Sequence, residues 1–150
     1  MLASGRWFQG LPAQMQERLL DGASLREVSE GTVLFTRGAA PDGLYAVVAG
    51  GIRVAGTSEE GKEAVLVVME PPQWFGEIAV FDRQARTHDA VALIDSAVLH
   101  VPTAALDAMF AQHPAWWREL GLLMTTKLRL TFSALEDAAL LPLHARVVRR

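Results

Sequence analysis

The chain contains no cysteine. That excludes a disulfide framework, a cysteine-bound zinc site and a thiolate-held iron–sulfur cluster. It also lacks any uninterrupted apolar run of the ~18 residues that a membrane span requires, and Met1 to Gln9 do not resemble a signal peptide. The expected location is the cytoplasm, with no membrane partner. A basic surplus is missing as well. Fourteen Lys and Arg face seventeen Asp and Glu, for a net charge of −3, whereas a nucleic-acid-binding domain usually carries excess positive charge. No Ser/His/Asp set, nucleophile elbow or Walker loop is present, so no enzyme is expected. What is there is 150 residues, 51% hydrophobic and 21% charged, which suits one globular domain with a single core.

The pattern along the chain changes twice. Pro12 to Leu20 reads as a short helix, with proline at its first turn and Gly22 after its end. From Leu25 to Val101, short apolar runs alternate with glycine-, aspartate- or proline-bearing turns. The runs are Leu25–Val28, Thr32–Phe35, Leu44–Ala49, Ile52–Ala55, Ala64–Met69, Ala90–Leu93 and Ala97–Val101. Such spacing predicts an antiparallel sandwich or barrel. The last third is helical: Thr103 to His113, ended by Pro114, then a long helix from about Ala115 to Leu141.

In that long helix Trp117, Gly121, Met124, Leu128, Thr131, Leu135 and Ala138 recur at steps of four and three, the seam of a two-stranded coiled coil. A second row, Leu120, Leu123 and Leu130, is expected to face the barrel. Two apolar faces predict two partners, the helix's own domain and a second copy of the chain. The expected division is 1–114 for the barrel with its flanking helices and 115–150 for the dimerisation helix. Residues 144–150 carry Arg146, Arg149 and Arg150 without an acid and read as the approach to a further module.

The stretch with chemical content is Trp74 to Val91. Gly76 permits a close backbone approach. Glu77 to Val80 can form one helical turn, whose free N–H groups attract an anion. Nine residues on stands Arg86, a planar fork suited to phosphate oxygens, with the Thr87 hydroxyl beside it. A carboxylate in such a place suits sugar hydroxyls. Glu77 and Arg86 thus fit one ligand with a phosphate and a ribose; the alternative is a structural ion pair on the barrel.

Phe75-Gly76-Glu77-Ile78-Ala79, followed without a gap by Arg86-Thr87, resembles the phosphate-binding cassette of cyclic-nucleotide-binding domains in catabolite activator/FNR-type transcription regulators. Gly31-Thr32, Gly38, Leu44-Tyr45, Gly50 to Val54 and Gly61 to Leu66 match upstream, and the long helix resembles the dimerisation helix of that family. The resemblance spans roughly Phe8 to Leu141. It implies a mainly β fold, a double-stranded β-helix (jelly-roll) barrel with a short N-terminal helix and a long C-terminal one. It further implies that Arg86 pairs with phosphate oxygens, and that backbone near Gly76, Ile78 and Thr87, with the Thr87 hydroxyl, completes the cradle. Glu77 would accept the ribose 2′-hydroxyl, and Thr131 would present a hydroxyl to the base. The implied effector is cyclic AMP or cyclic GMP, with no covalent cofactor, in a homodimer. DNA would be bound only through a winged helix-turn-helix that residues 1–150 do not contain. A module of the same fold with a vestigial site, or one for another ligand, is the alternative.

Four residues depart from the family pattern: Arg83 for a frequent glycine, His88 and Asp89 for small or hydroxyl residues, and Phe132 for a second hydroxyl. Asp89 near a phosphate would be repulsive unless it points at Arg86 or His88 and orients it. His88, His100, His113 and His144 lack metal-site spacing and read as structural or solvent-facing, His88 carrying more functional weight from its position. Trp7, Trp74, Trp116 and Trp117 read as core or interface anchors.

Overall fold

A computed structural model describes the backbone of residues 2–148 and the side chains of residues 5–140. The basic tail at 144–150 therefore lies outside the described side chains. Two helices, α1 (Leu2–Gln9) and α2 (Ala13–Gly22), precede eight strands: β1 (Ser24–Val28), β2 (Val33–Phe35), β3 (Gly43–Ala49), β4 (Ile52–Thr57), β5 (Glu63–Met69), β6 (Trp74–Phe75), β7 (Asp89–Ala92) and β8 (Ser96–Pro102). Helix α3 (Glu77–Asp82) lies between β6 and β7. After β8 come α4 (Thr103–Gln112), a 3₁₀ turn (Pro114–Trp116) and α5 (Trp117–Val148). The seven strands read from the sequence all form. Two elements were not anticipated: α1, and the two-residue β6, which is too short for any periodicity to register.

The strands make two antiparallel sheets, ordered β1-β8-β3-β6 and β2-β7-β4-β5. This is the jelly roll expected. β3 is buried on both faces, and its period-two alternation divides two cores. Leu44 and Ala46 face the helices, packing with Trp7, Leu11, Met15, Leu106, Phe110 and Leu120. Tyr45 and Val47 face the barrel interior with Ile52, Phe75, Ala90 and Val98. β6 repeats the division, sending Trp74 to the helical side and Phe75 into the barrel. Trp74 is wedged between Trp7 and Phe8, at centroid distances of 5.7 and 5.5 Å.

The first turns of α5 are pinned to this layer. Leu120 and Leu123 are fully buried, each stabilising by roughly 1.5–3 kcal/mol, and the Trp7 indole N–H donates to the Glu119 carbonyl at 2.6 Å. Leu130 does not continue the row. It is exposed, because by that point α5 has passed the end of the helical layer and contacts the barrel through another face. Among the described residues no helix is long and apolar enough to cross a membrane.

Candidate functional site

The mouth of the barrel, the cassette and the middle of α5 enclose a cavity of about 630 Å³. Phe35, Val54, Leu66 and Val67 supply the strand wall; Met124, Leu128 and Leu135 supply the helix wall. Gly76, Glu77, Ile78, Arg86, Thr87 and Thr131 all line it. Every site residue expected from the sequence is thus brought to one place.

Gly76 connects β6 to α3 with φ +89, in the left-handed region that favours glycine. A Cβ there would lie 2.9 Å from Arg86 Nη1. The missing side chain is what lets the guanidinium come in. Arg86 is 3% exposed and projects into the barrel. Its Nη1 donates to the Gly76 carbonyl at 2.8 Å; its Nη2 donates to Asp42 Oδ1 and to the Gly43 carbonyl, each at 2.7 Å. The guanidinium carbon sits 4.1 Å from the Phe35 ring centroid. Arg86 Nε is buried with no hydrogen-bond partner among the described residues. Asp42, a pocket neighbour that the sequence did not single out, receives Tyr45 Oη on its other oxygen at 2.6 Å. Burial pushes the Asp42 carboxyl up, but the hydrogen bonds from Tyr45 and Arg86, with the Arg86 charge, outweigh it and leave the group below its usual 3.8. Burial, and then the same carboxylate, push the Tyr45 hydroxyl far upward, so it stays a donor.

Glu77 is also buried. It pairs with Lys127 of α5, whose Nζ lies 2.9 Å from its carboxylate and also donates to the Trp74 carbonyl at 2.6 Å. Glu77 and Arg86 therefore do not pair with each other: each has its own counter-ion, and both remain against the cavity. One turn beyond Lys127, Thr131 Oγ1 donates to the Lys127 carbonyl at 2.9 Å. Thr87 Oγ1 and His88 Nδ1 are 2.9 Å apart, and His88 lines the cavity as well. Asp89 points neither at Arg86 nor at His88. Its Oδ1 accepts from the Arg37 N–H at 2.7 Å, and Asp89 is not in the cavity lining.

A buried cation beside a roomy, mostly apolar cavity, with a carboxylate and two hydroxyls on its rim, is a site for a small anionic ligand with polar and flat apolar parts. The fold is a jelly roll of the catabolite activator type. The chain belongs to the cyclic nucleotide-binding domain family, whose model matches residues 25–113. It is 25% identical over 150 residues to a CRP-like cAMP-activated global transcriptional regulator of Mycobacterium tuberculosis, covering all of this chain and 67% of that protein. The Thermus thermophilus catabolite activator protein superposes with a TM-score of 0.74 at 26% identity, over 89% of this chain and 62% of that one. The N-terminal domain of a transcriptional regulator from Streptomyces coelicolor A3(2) gives 0.68 at 28% identity, over 86% and 90%. This chain thus spans somewhat under two thirds of the Thermus protein and nearly all of the Streptomyces domain. The family is regulatory rather than enzymatic.

Proposed function

We propose that the cavity binds a purine cyclic mononucleotide and that the chain is the sensor part of a dimeric, cytoplasmic transcription regulator. The observation that carries this is Arg86: a buried guanidinium held at the barrel mouth, in the lining of the cavity. Arg86, the Thr87 hydroxyl and backbone near Gly76 and Ile78 hold the cyclic phosphate. Glu77 accepts the ribose 2′-hydroxyl. The base lies between the apolar wall of β4 and β5 and that of α5, within reach of Thr131. Because the Thr131 hydroxyl donates to the Lys127 carbonyl, its lone pairs are left to accept, which favours the 6-amino group of adenine over the 6-oxo group of guanine.

The coupling step runs through Glu77. That carboxylate already ties the cassette to α5 through Lys127, so a ligand that engages Glu77 and Thr131 acts on the barrel–helix contact directly. It biases the helix pair only by binding one arrangement more tightly than the other. DNA binding belongs to a winged helix-turn-helix following α5 in the whole regulator.

The test is thermal denaturation with cyclic AMP, cyclic GMP and cyclic di-GMP. At 100 times its dissociation constant a ligand stabilises by ~2.7 kcal/mol, several degrees for this size. Cyclic AMP is expected to give the largest shift. Arg86→Ala should abolish most of it, since a charge-assisted contact contributes roughly 1.5–3 kcal/mol. An equal shift in the parent and in Arg86→Ala would remove Arg86 from the site. No shift with any cyclic nucleotide would leave a module of this fold with a vestigial pocket or a different ligand.

A further inference from the structure

We propose that His100, as a neutral imidazole bridging Arg26 and the Asp42–Gly43 turn, is the positioning residue that keeps Arg86 aimed into the ligand cavity. The inference rests on reading Arg86 as a ligand contact. His100 does not line the cavity. It lies on β8 opposite Tyr45 of β3, with the two rings 4.7 Å apart, and is 5% exposed. Its Nε2 is 2.9 Å from the Asp42 carbonyl, an acceptor, so Nε2 carries the proton. Its Nδ1 is 2.8 Å from Arg26 Nη2, a donor, so Nδ1 offers its lone pair. The two contacts select one neutral tautomer.

What the ring supports is the segment that holds Arg86. Two of the three protein oxygens on the guanidinium belong to Asp42 and Gly43. That turn fits closely against His100: a Cβ on Gly43, at φ +138, would stand 2.9 Å from His100 Nε2. Removing the ring leaves the Asp42 carbonyl with only the long 3.4 Å bond from the Thr103 N–H and opens space under the turn.

Protonation has the same direction of effect. A proton on Nδ1 would face the Arg26 guanidinium in place of accepting from it. The charged or titratable groups around the ring are Arg26 from β1, Asp42 and Tyr45 from the turn and β3, and Arg86 from the segment before β7. Burial lowers the His100 pKa from the usual 6.5; the Asp42 carbonyl and carboxylate oppose this, and Arg26 and Arg86 add to it. The folded form is therefore the weaker proton acceptor, and acidification below pH 6.5 works against this arrangement.

The experiment compares cyclic AMP affinity, by calorimetry from pH 5.5 to 8, in the parent, His100→Ala and His100→Gln. Glutamine can donate to the Asp42 carbonyl and accept from Arg26, and it does not titrate. His100→Ala should weaken binding at least tenfold at neutral pH, and His100→Gln less than threefold. The parent should lose affinity as pH falls through the lowered pKa of the folded His100, below 6.5, and His100→Gln should not. A through-space attraction between a protonated His100 and the phosphate would tighten binding in acid, so the sign of the pH effect decides between the two. Equal affinity in His100→Ala, or matching pH profiles in the parent and His100→Gln, would overturn the proposal. If His100→Ala does not fold, the His100→Gln profile decides. If the parent binds no cyclic nucleotide, the ligand reading fails and this one is read from NMR of the free protein. Protected Arg86 Nη2–H resonances, held by Asp42 and Gly43, should be present in the parent and in His100→Gln and lost in acid in the parent only. An Arg86 resonance that ignores both pH and substitution would overturn it.

Discussion

Arg86 and Glu77 face the same cavity and are neutralised by different residues, Asp42 and Lys127. The two contacts differ in kind. Asp42 is about half exposed while Arg86 is buried, so losing Asp42 leaves the larger burden on Arg86. Glu77 is the buried member of its pair, and Lys127 is only one-fifth exposed. Lys127→Met should therefore destabilise the domain by about 2–3 kcal/mol, somewhat below the ~3–5 kcal/mol of a wholly buried pair. The double variant Lys127→Met/Glu77→Gln should regain most of that loss, because a neutral amide no longer needs a counter-charge. Denaturant unfolding of both variants checks this; a double variant no more stable than the single one would mean the pair contributes little. Six pocket residues were legible because they sit in a contiguous motif or on the seam of one helix. Asp42 and Lys127 were not: they lie 44 and 50 residues from the groups they neutralise, and nothing local marks them. A clue to Lys127 existed, since it lies one turn before Thr131 on the same helical face.

Among elements, two short turns decide whether the cavity exists. At Gly43 and Gly76 the backbone has positive φ and a Cβ would run into the site: into the Val101 carbonyl at Gly43 and the Arg86 guanidinium at Gly76. The first clash is with backbone of β8, which cannot move without breaking the β3–β8 ladder. Gly43→Ala should cost about 3 kcal/mol or more. Gly76→Ala strains the backbone at φ +89 by roughly 1–2 kcal/mol, but its Cβ meets only the end of a flexible side chain, so it should cost less stability than Gly43→Ala and lower ligand affinity as well. Thermal melts paired with cyclic AMP titration would separate the two, and similar stability losses at both positions would contradict this account. The sheet strands were legible because each carries its own alternation. β6 was not, because two residues have no period; α1 was read only as lacking a targeting signal. The start of α5 differs as well, a 3₁₀ turn from Pro114 preceding the helix proper at Trp117, and the helix runs on past Leu141 to Val148.

At the scale of the molecule, α5 buries no described residue beyond Leu123, and Leu128, Phe132, Leu135 and Leu140 are exposed, Leu140 at 67%. Apolar residues at this density on one helix favour a partner helix over water, and the proposed homodimer supplies one. Phe132→Glu combined with Leu135→Lys should shift the chain toward monomer in sedimentation velocity while the β-sheet circular dichroism is unchanged. A parent chain that is already monomeric would set the dimer aside. The histidines illustrate the divide between sequence and structure. By spacing alone all four looked structural, and His88 drew attention only through its position in the cassette; His100 gained significance because two sheet pairings set it between Arg26 and Asp42, 74 and 58 residues away. Alternation, helical periodicity and a contiguous motif are properties of neighbouring residues, so the sequence by itself determined an antiparallel β sandwich or barrel and the long helix, and the family resemblance its motif carries implied the jelly roll and the groups around the cavity. Which counter-ion each buried charge receives, and which imidazole stands behind the arginine, depends on strands and a helix meeting across the fold. Only the tertiary structure decided that, because electrostatic pairing acts through space and leaves no periodic trace along the chain.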